Sequence, residues 1–265
     1  MKSTKILVKT KSKKYPVYIG NNSLNRLPTI IKNKLPNVRK IAIIADRKLP
    51  AKLLKKLKSS LKKYNIKVYK LDLKKKIKNI KFASFLAEEL IKNNFNRSDC
   101  VIAFGGGVIG DLSAFVSSIT KRGIKFVNIP TTLLAQVDAS IGGKTGINSP
   151  LGKNLIGTFY QPEFVIIDIS TLNTLPRREL ICGYGEILKH SLILNKKFFL
   201  WLKKNGKEII KKNGNILKYA ILKSCKIKMQ IVSMDENENN VRMILNFGHT
   251  FGHAFEATKK FSSKL

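Results

Sequence analysis

The feature that most constrains this chain is an apolar run that ends in a glycine-rich loop. Residues 100–104 are all apolar, which is typical of a strand buried in a parallel sheet. Residues 105–111, GGGVIGD, follow at once and fit the pattern GxGxxG. Such glycines let the backbone approach a phosphate, and the next helix turns free N–H groups toward it. We expect a dinucleotide site here, although the same glycines could form a plain strand-to-helix turn.

The rest of the pattern divides the chain into two parts. Candidate strands cover residues 5–8, 15–19, 40–45, 66–71, 99–104, 125–129 and 164–168, with helices near 50–64 and 80–94. After Leu175-Pro176 the periods become helical, over residues 178–194, 196–212, 216–234 and from 245. We therefore predict an α/β, Rossmann-like dinucleotide-binding domain with a parallel sheet over residues 1–172. A helical metal- and substrate-binding domain, expected to be incomplete, covers residues 173–265.

Composition excludes several classes of protein. With 43% hydrophobic residues the chain is not disordered, despite 51 Lys+Arg against 16 Asp+Glu and a net charge of +35. Its lysine runs lack interleaved aromatics and any known nucleic-acid motif, so we expect no nucleic-acid partner. No stretch reaches the about 18 apolar residues of a membrane helix, and no secretion signal is visible. Three widely spaced cysteines without a CxxC pair favour a reducing, cytoplasmic setting.

A second glycine-rich segment indicates an anion site but not an NTPase. Residues 142–145, GGKT, look like the end of a P-loop, yet Asp138 stands where the first glycine of that loop would fall. A carboxylate at that position would repel phosphates. Lys144, Lys153 and Asn154 in this segment could bind an anionic small molecule, or they could belong to an ordinary basic loop.

The helical part carries a possible metal set. His249 and His253 are spaced to share one helix face, and Glu186 supplies a distant carboxylate. Spacing alone leaves two interpretations open. Both histidines could bind a zinc ion, or His253 could act in catalysis or phosphate binding beside a metal-bound His249.

Taken together, these motifs resemble the 3-dehydroquinate synthases, a family of sugar phosphate cyclases. The matching segments lie in the family's order at residues 105–111, 122–123, 130–146, 152–154, 185–186 and 246–253. The resemblance implies an enzyme that binds NAD and a divalent metal, Zn²⁺ or Co²⁺. It would convert 3-deoxy-D-arabino-heptulosonate 7-phosphate to 3-dehydroquinate and phosphate, by transient oxidation, phosphate elimination, reduction and aldol closure. It also implies a homodimer.

The resemblance assigns roles to individual residues. The metal ligands would be Glu186 and His249. The substrate pocket would contain Asp138, Lys144, Asn154, Lys189, Lys228, Arg242, Asn246 and His253, with Arg122 from a partner subunit. The NAD site would contain Asp46, Lys78, Gly105, Gly106, Gly107, Val108, Ile109, Gly110, Asp111, Thr131, Thr132, Lys144, Lys153, Thr171, Leu172, Asn173 and Thr174.

The sequence departs from the family pattern in two places. In the family a further metal histidine lies in a His-Gly-Glu segment beyond the position of Leu265, so we expect the metal shell of this chain to lack one ligand. Lys74 and Lys75 replace an acidic pair near the adenosine. Two alternatives therefore accompany the cyclase hypothesis: a metal-dependent polyol or glycerol phosphate dehydrogenase of the same architecture, and an inactive, truncated NAD-binding relic.

Overall fold

A seven-stranded sheet forms the centre of the protein, seen in a computed structural model that describes residues 3–258, except for the side chains at positions 253, 254, 256 and 257. Its spatial order is β1-β2-β9-β6-β5-β3-β4, and β7 and β8 form a separate hairpin. The strands are β1 Thr4–Lys9, β2 Lys14–Gly20, β3 Lys40–Asp46, β4 Asn65–Leu71, β5 Cys100–Gly105, β6 Lys125–Pro130, β7 Ile147–Ser149, β8 Gly152–Ile156 and β9 Phe164–Asp168.

Among residues 3–258, eight α-helices surround or follow the sheet. They are α1 Leu27–Lys34, α2 Ala51–Ser60, α3 Ile80–Lys92, α4 Gly107–Ile119, α5 Arg177–Leu194, α6 Lys196–Ile210, α7 Gly214–Met234 and α8 His249–Thr258. Within the described residues, no helix is long and apolar enough to cross a membrane.

The central strands run parallel because helices connect them across both faces of the sheet. All pairings from β2 to β4 in the spatial order are parallel, and only β1 pairs with β2 in the antiparallel sense. One hydrophobic cluster joins the sheet to α1 and α2, and a second joins it to α3 and α4. Every residue of β5 is buried, as the apolar run predicted. The expected α/β fold is confirmed.

A third hydrophobic cluster ties the sheet to the helices that follow it. It combines residues of β1, β2 and β9 with residues of α5, α6 and α7. Val17 and Ile19 of β2 and Ile187 of α5 are fully buried within it. The helical region therefore packs directly on one end of the sheet. The proposed division at residue 172 stays a prediction.

Three local features differ from the sequence expectation. The short helix α1 and the hairpin β7–β8 were not predicted, because α1 has only eight residues and β8 is mostly exposed. The helix predicted from residue 245 was wrong at its start. Residues Val241–Asn246 form a 3-10 helix, and Gly248, with φ of +81°, interrupts the chain before α8 begins at His249.

Candidate active site

The site begins at the two neighbouring strands β3 and β5, where the order of the strands in the sheet reverses. From β3 the chain continues to β4 toward one edge of the sheet, and from β5 it continues to β6 toward the other edge. Ala45 of β3 lies opposite Phe104 of β5. In doubly wound sheets, ligands bind in the crevice at the carboxyl ends of such a strand pair. Asp46 ends β3 and Gly105 ends β5, so the structure brings both predicted cofactor residues to this crevice. The Asp46 carboxylate accepts a hydrogen bond from the backbone N–H of Lys48 (2.9 Å).

The glycine loop has the geometry of an anion cradle. Gly106 is extended, α4 starts at Gly107, and no side chain among the described residues caps the first N–H groups of this helix. A Cβ on Gly106 would lie 3.1 Å from Cγ2 of Thr132, so glycine allows the two loops to pack closely. The loop therefore fits a pyrophosphate. Val108 is partly exposed, but the side chain of Ile109 is fully buried, so Ile109 can offer a ligand only its backbone.

The predicted threonine contacts serve the fold as well. Thr132 accepts a hydrogen bond from the N–H of Ala135 (3.2 Å). The buried Thr171 hydroxyl donates to the carbonyl of Asp168 (2.7 Å) and accepts from the amide of Gln136 (3.1 Å). Thr131 and Leu172 are buried too, whereas Asn173 and Thr174 are exposed. These residues shape the crevice wall.

Beside the glycine loop lies a polar cavity of about 620 Å³. Its wall is formed by α4, the π-helical turn Ala135–Ala139, the β7–β8 hairpin, α7 and the segment that precedes α8. The predicted site residues in this wall are Asp111, Asp138, Lys144, Asn154, Lys228, Arg242, Asn246 and His249.

One end of the cavity is organised by Lys78. Its ammonium lies 2.6 Å from Oδ2 of Asp111 and also donates to Oδ1 of Asn154. Burial raises the pKa of the Asp111 carboxyl, and the charge and hydrogen bond of Lys78 partly offset that rise. Asn154 adopts a left-handed backbone, with φ of +58°. Lys78 thus binds both Asp111, a predicted cofactor residue, and Asn154, a predicted substrate residue. Lys153, the next predicted cofactor residue, is exposed on β8.

The carboxylate of Asp138 is the most strongly held acid of the cavity. Lys228, which is 6% exposed, donates to Oδ1 of Asp138 (2.7 Å) and to its backbone carbonyl (2.6 Å). Burial alone would raise the pKa of Asp138, but Lys228, then His190 and Lys189, hold it well below the usual value. Burial in turn lowers the pKa of Lys228. The pair is therefore an ionised carboxylate beside a lysine that is desolvated.

Arg242 and Lys144 make the opposite wall cationic. Arg242 is 1% exposed and donates to the carbonyl of Gly142 (3.0 Å) and to that of Glu236, and burial lowers its pKa. Lys144 is paired with Glu238, which also accepts from the amide of Asn246 (3.1 Å). An incoming phosphate would compete with Glu238 for the ammonium of Lys144 and the amide of Asn246.

Among the described residues, the cluster of possible metal ligands contains Glu186 but not His249. Oε2 of Glu186 is buried, lies 2.5 Å from the ammonium of Lys189 and accepts no hydrogen bond of good geometry. His249 lines the cavity, with Nδ1 3.2 Å from Oδ1 of Asn246. Among the described residues, the donor atoms that lie within 4.8 Å of one another belong to Asp138, Glu186 and His190. The side chain of His253 lies outside the described residues.

Arg122 stands apart from the cavity. It sits in an exposed turn with φ of +63°, between Lys121 (φ +49°) and Gly123 (φ +124°). No hydrogen bond or ion pair joins its guanidinium to the rest of residues 3–258. No contact among the described residues thus accounts for this arginine.

Sequence reasoning missed three residues around the site: His190, Ser224 and Glu238. His190 follows Glu186 by four positions and so shares its face of α5, which is the signal that could have identified it. Ser224 likewise precedes Lys228 by one helical turn on α7. Glu238 lies in a loop, where the sequence offers no periodicity to place it.

Comparisons with known proteins agree with this geometry. The fold superposes on a solved structure of 2-epi-5-epi-valiolone synthase from Streptomyces hygroscopicus subsp. jinggangensis 5008 with NAD⁺ and Zn²⁺ bound (TM-score 0.86, 24% identity, 97% of this chain and 71% of that chain). It also superposes on 2-deoxy-scyllo-inosose synthase complexed with carbaglucose-6-phosphate, NAD⁺ and Co²⁺ (TM-score 0.82, 25% identity, the same coverage). The fold is that of the sugar phosphate cyclases.

Sequence similarity defines the family more narrowly. Residues 68–182 match the family model of the 3-dehydroquinate synthase N-terminal domain, and residues 183–264 match that of the C-terminal domain. The 3-dehydroquinate synthase of Pelagibacter ubique (strain HTCC1062) is 51% identical over 98% of this chain and 71% of its own length. The chain belongs to the 3-dehydroquinate synthase family. The alternative of a polyol or glycerol phosphate dehydrogenase is not favoured.

Proposed function

We propose that this chain converts 3-deoxy-D-arabino-heptulosonate 7-phosphate to 3-dehydroquinate and phosphate in the cavity beside the glycine loop. The observation that carries the proposal is the combination of a pyrophosphate cradle with a cavity lined by Lys144, Lys228 and Arg242. Such a cavity suits a compact, anionic, hydroxylated substrate. The family membership described above supports the same reaction.

NAD would bind along the carboxyl edge of the sheet. The glycine loop would hold the pyrophosphate, and Asp46 would accept hydrogen bonds from the adenosine ribose. Thr131, Thr132 and residues 171–174 would line the remainder of the cofactor site. NAD bound there supplies a reversible hydride acceptor. The solved structures of two cyclases of this fold contain NAD⁺, which supports the assignment.

A divalent metal, Zn²⁺ or Co²⁺, would be held by Glu186 and His249. The buried carboxylate oxygen of Glu186, which lacks a well-formed hydrogen bond, is the kind of donor that such a cation requires. A bound metal makes a substrate hydroxyl more acidic. Lys189 occupies that oxygen in the present structure, so metal binding would require its ammonium to move.

The chain's own residues would bind and orient the substrate. Lys144, Asn154 and Arg242, together with His253, would hold its phosphate, while Asp138 and Lys228 would bind its hydroxyl groups. Glu238 would leave Lys144 when the phosphate arrives. One flexible substrate must pass through several steps, so fixed orientation is the largest contribution that these residues can make.

We propose further that the active form is a cytoplasmic homodimer in which Arg122 reaches the site of a second copy. The unexplained arginine in a left-handed turn supports the dimer, and the free cysteines Cys100, Cys182 and Cys225 support a reducing compartment. Mixing two variants tests the dimer. Arg122→Ala and Lys144→Ala should each be inactive, and a refolded mixture should regain about a quarter of the wild-type activity if the sites are shared. A mixture without activity would contradict the arrangement.

The reaction itself is tested by phosphate release. The chain is incubated with NAD, Zn²⁺ and the heptulosonate phosphate, while absorbance at the NADH band is followed. Release of phosphate without accumulation of NADH supports the proposal. Accumulation of NADH would favour a dehydrogenase, and silence in both channels, with NAD binding intact, would favour a non-catalytic relic. Arg177→Ala, an exposed change away from the cavity, serves as the control.

A further inference from the structure

A fully buried histidine lies directly behind the cavity. His190 of α5 is 0% exposed and does not line the cavity itself. Its Nδ1 lies 2.6 Å from Oγ of Ser224, a residue of α7 that is also 0% exposed. Burying a polar imidazole is costly unless its nitrogen atoms have partners, so this placement calls for a reason.

The other ring nitrogen faces the Asp138 carboxylate. Nε2 of His190 is 3.6 Å from Oδ1 of Asp138 and has no hydrogen-bond partner among the described residues. That distance exceeds a hydrogen bond, so the interaction is electrostatic. A lone pair on Nε2 would repel the carboxylate, whereas an N–H would attract it. The geometry therefore favours a proton on Nε2.

The contact with Ser224 holds the ring in place. The serine hydroxyl can donate to Nδ1 or accept from it, so it accommodates a ring that carries its proton on Nε2. The serine thus anchors one nitrogen of the imidazole while the Asp138 carboxylate favours an N–H on the other. Ser224 and Lys228 are one helical turn apart on α7, so a single helix supplies both the lysine that binds Asp138 and the serine that orients His190.

The backbone at Asp138 makes a second support useful. Asp138 belongs to a π-helical turn, Ala135–Ala139, in which the regular helical ladder is interrupted. Lys228 binds Oδ1 and the backbone carbonyl of Asp138 from one direction. His190 approaches the same oxygen from α5. Two supports from two helices fix the rotation of the carboxylate, which one lysine leaves free.

We propose that His190 is a positioning residue for the proposed reaction. Anchored by Ser224, it holds the Asp138 carboxylate in the orientation that the substrate meets. The inference rests on the proposed function only in that Asp138 is taken to contact the substrate. His190 itself touches neither the substrate nor the cofactor.

The first test is spectroscopic and needs no turnover. The chain contains three histidines, so a long-range ¹H–¹⁵N spectrum of the ring nitrogens is simple, and His190→Gln identifies the signals of His190. We expect a ring that carries a proton on Nε2. Ser224→Ala removes the partner of Nδ1 and should shift the His190 signals, whereas Ser117→Ala, another fully buried serine, should leave them unchanged. A wild-type ring protonated on Nδ1 alone would overturn the inference.

The second test measures positioning. Glutamine at position 190 retains an N–H donor near the place of Nε2, and leucine does not. The ¹³C signal of the Asp138 carboxyl, assigned with Asp138→Asn, should move in His190→Leu and return in His190→Gln.

In turnover, His190→Leu should lower kcat roughly 10- to 100-fold with a smaller change in KM, and His190→Gln should restore most of the lost kcat. Equal values of kcat and equal carboxyl signals in wild type and His190→Leu would refute the role. If the wild type shows no turnover, the proposed function fails, while both spectra still decide the inference.

Discussion

Two glycines of α5, two positions apart, should respond in opposite directions to the same substitution. A Cβ on Gly183 would lie 2.5 Å from Cβ of Leu133 and 2.6 Å from the backbone nitrogen of Leu134. These atoms belong to the segment that follows β6 and cannot move aside as a side-chain end could. A Cβ on Gly185 meets nothing within 4 Å. Gly183 therefore sets how closely α5, which carries Glu186, approaches the sheet.

The magnitudes follow from two opposing effects. Alanine is favoured over glycine within a helix by about 1 kcal/mol, and this gain is available at both positions. At Gly183 it is opposed by overpacking, which costs about 1–3 kcal/mol in a tight core and should lie at the upper end against backbone atoms. We expect Gly183→Ala to lower the free energy of unfolding by about 1–2 kcal/mol and Gly185→Ala to raise it by about 0.5–1 kcal/mol.

Urea denaturation followed by far-ultraviolet circular dichroism measures both variants beside the wild type. The relevant quantity is the difference in unfolding free energy between the two alanine variants, about 1.5–3 kcal/mol. Gly206→Ala is a useful third member, because its Cβ would meet only the hydroxyl end of the Tyr184 side chain, which can rotate. Gly183→Ala as stable as Gly185→Ala would refute the close packing of α5 on residues 133–134.

Three further predictions concern charges and ligands. Lys228→Met removes the positive charge that neutralises the Asp138 carboxylate and should lower the unfolding free energy by about 3–5 kcal/mol. Adding Asp138→Asn to the same chain should recover part of this loss, with a coupling of about 1–3 kcal/mol in a denaturant double-mutant cycle. Strict additivity of the two changes would contradict the ion pair between Lys228 and Asp138. Burial would raise the pKa of Glu236, but hydrogen bonds from Ser12 and Gln161 outweigh burial and hold that pKa below its usual value. The stabilisation by Glu236 is therefore complete above the unfolded pKa of about 4.3 and is lost as the pH falls through the lower folded value. The urea midpoints of wild type and Glu236→Gln should converge in acid, and a constant gap would argue against the shift. NAD at about 100 times its Kd should raise the unfolding free energy by about 2.7 kcal/mol, and Gly106→Val should abolish this increase in a thermal-shift titration while the protein remains folded.

Sequence patterns predicted the sheet better than the surface around it. All seven predicted strands occur, because continuous apolar runs such as residues 41–45 are distinctive in a buried parallel sheet. The hairpin β7–β8 was invisible because its exposed residues lack an apolar alternation. The start of α8 was misjudged because a residue's φ, here that of Gly248, depends on its surroundings.

The residues of the cavity wall were predictable from the sequence, but the residues that form ion pairs with them were not. The resemblance to the family identified eight residues of the cavity wall, because most of them lie in or beside family motifs that the sequence retains. The ion pairs that hold them, such as Lys144 with Glu238, join segments almost a hundred positions apart. No local pattern carries such information. His190 was overlooked because a lone histidine on a partly apolar helix is more often a core residue than a functional one.

The pairing of β2 with β9 affects how the protein is made. Val17 pairs with Val165, and the cluster around them also includes Ile231 of α7. At synthesis rates of about 5–20 residues per second, the roughly 150 residues between the two valines take about 8–30 s to appear. The β1–β2 hairpin is thus synthesised well before the strand on which it docks. During that interval the residues of β2 that will pack in the cluster lack the contacts that β9 and α7 later supply.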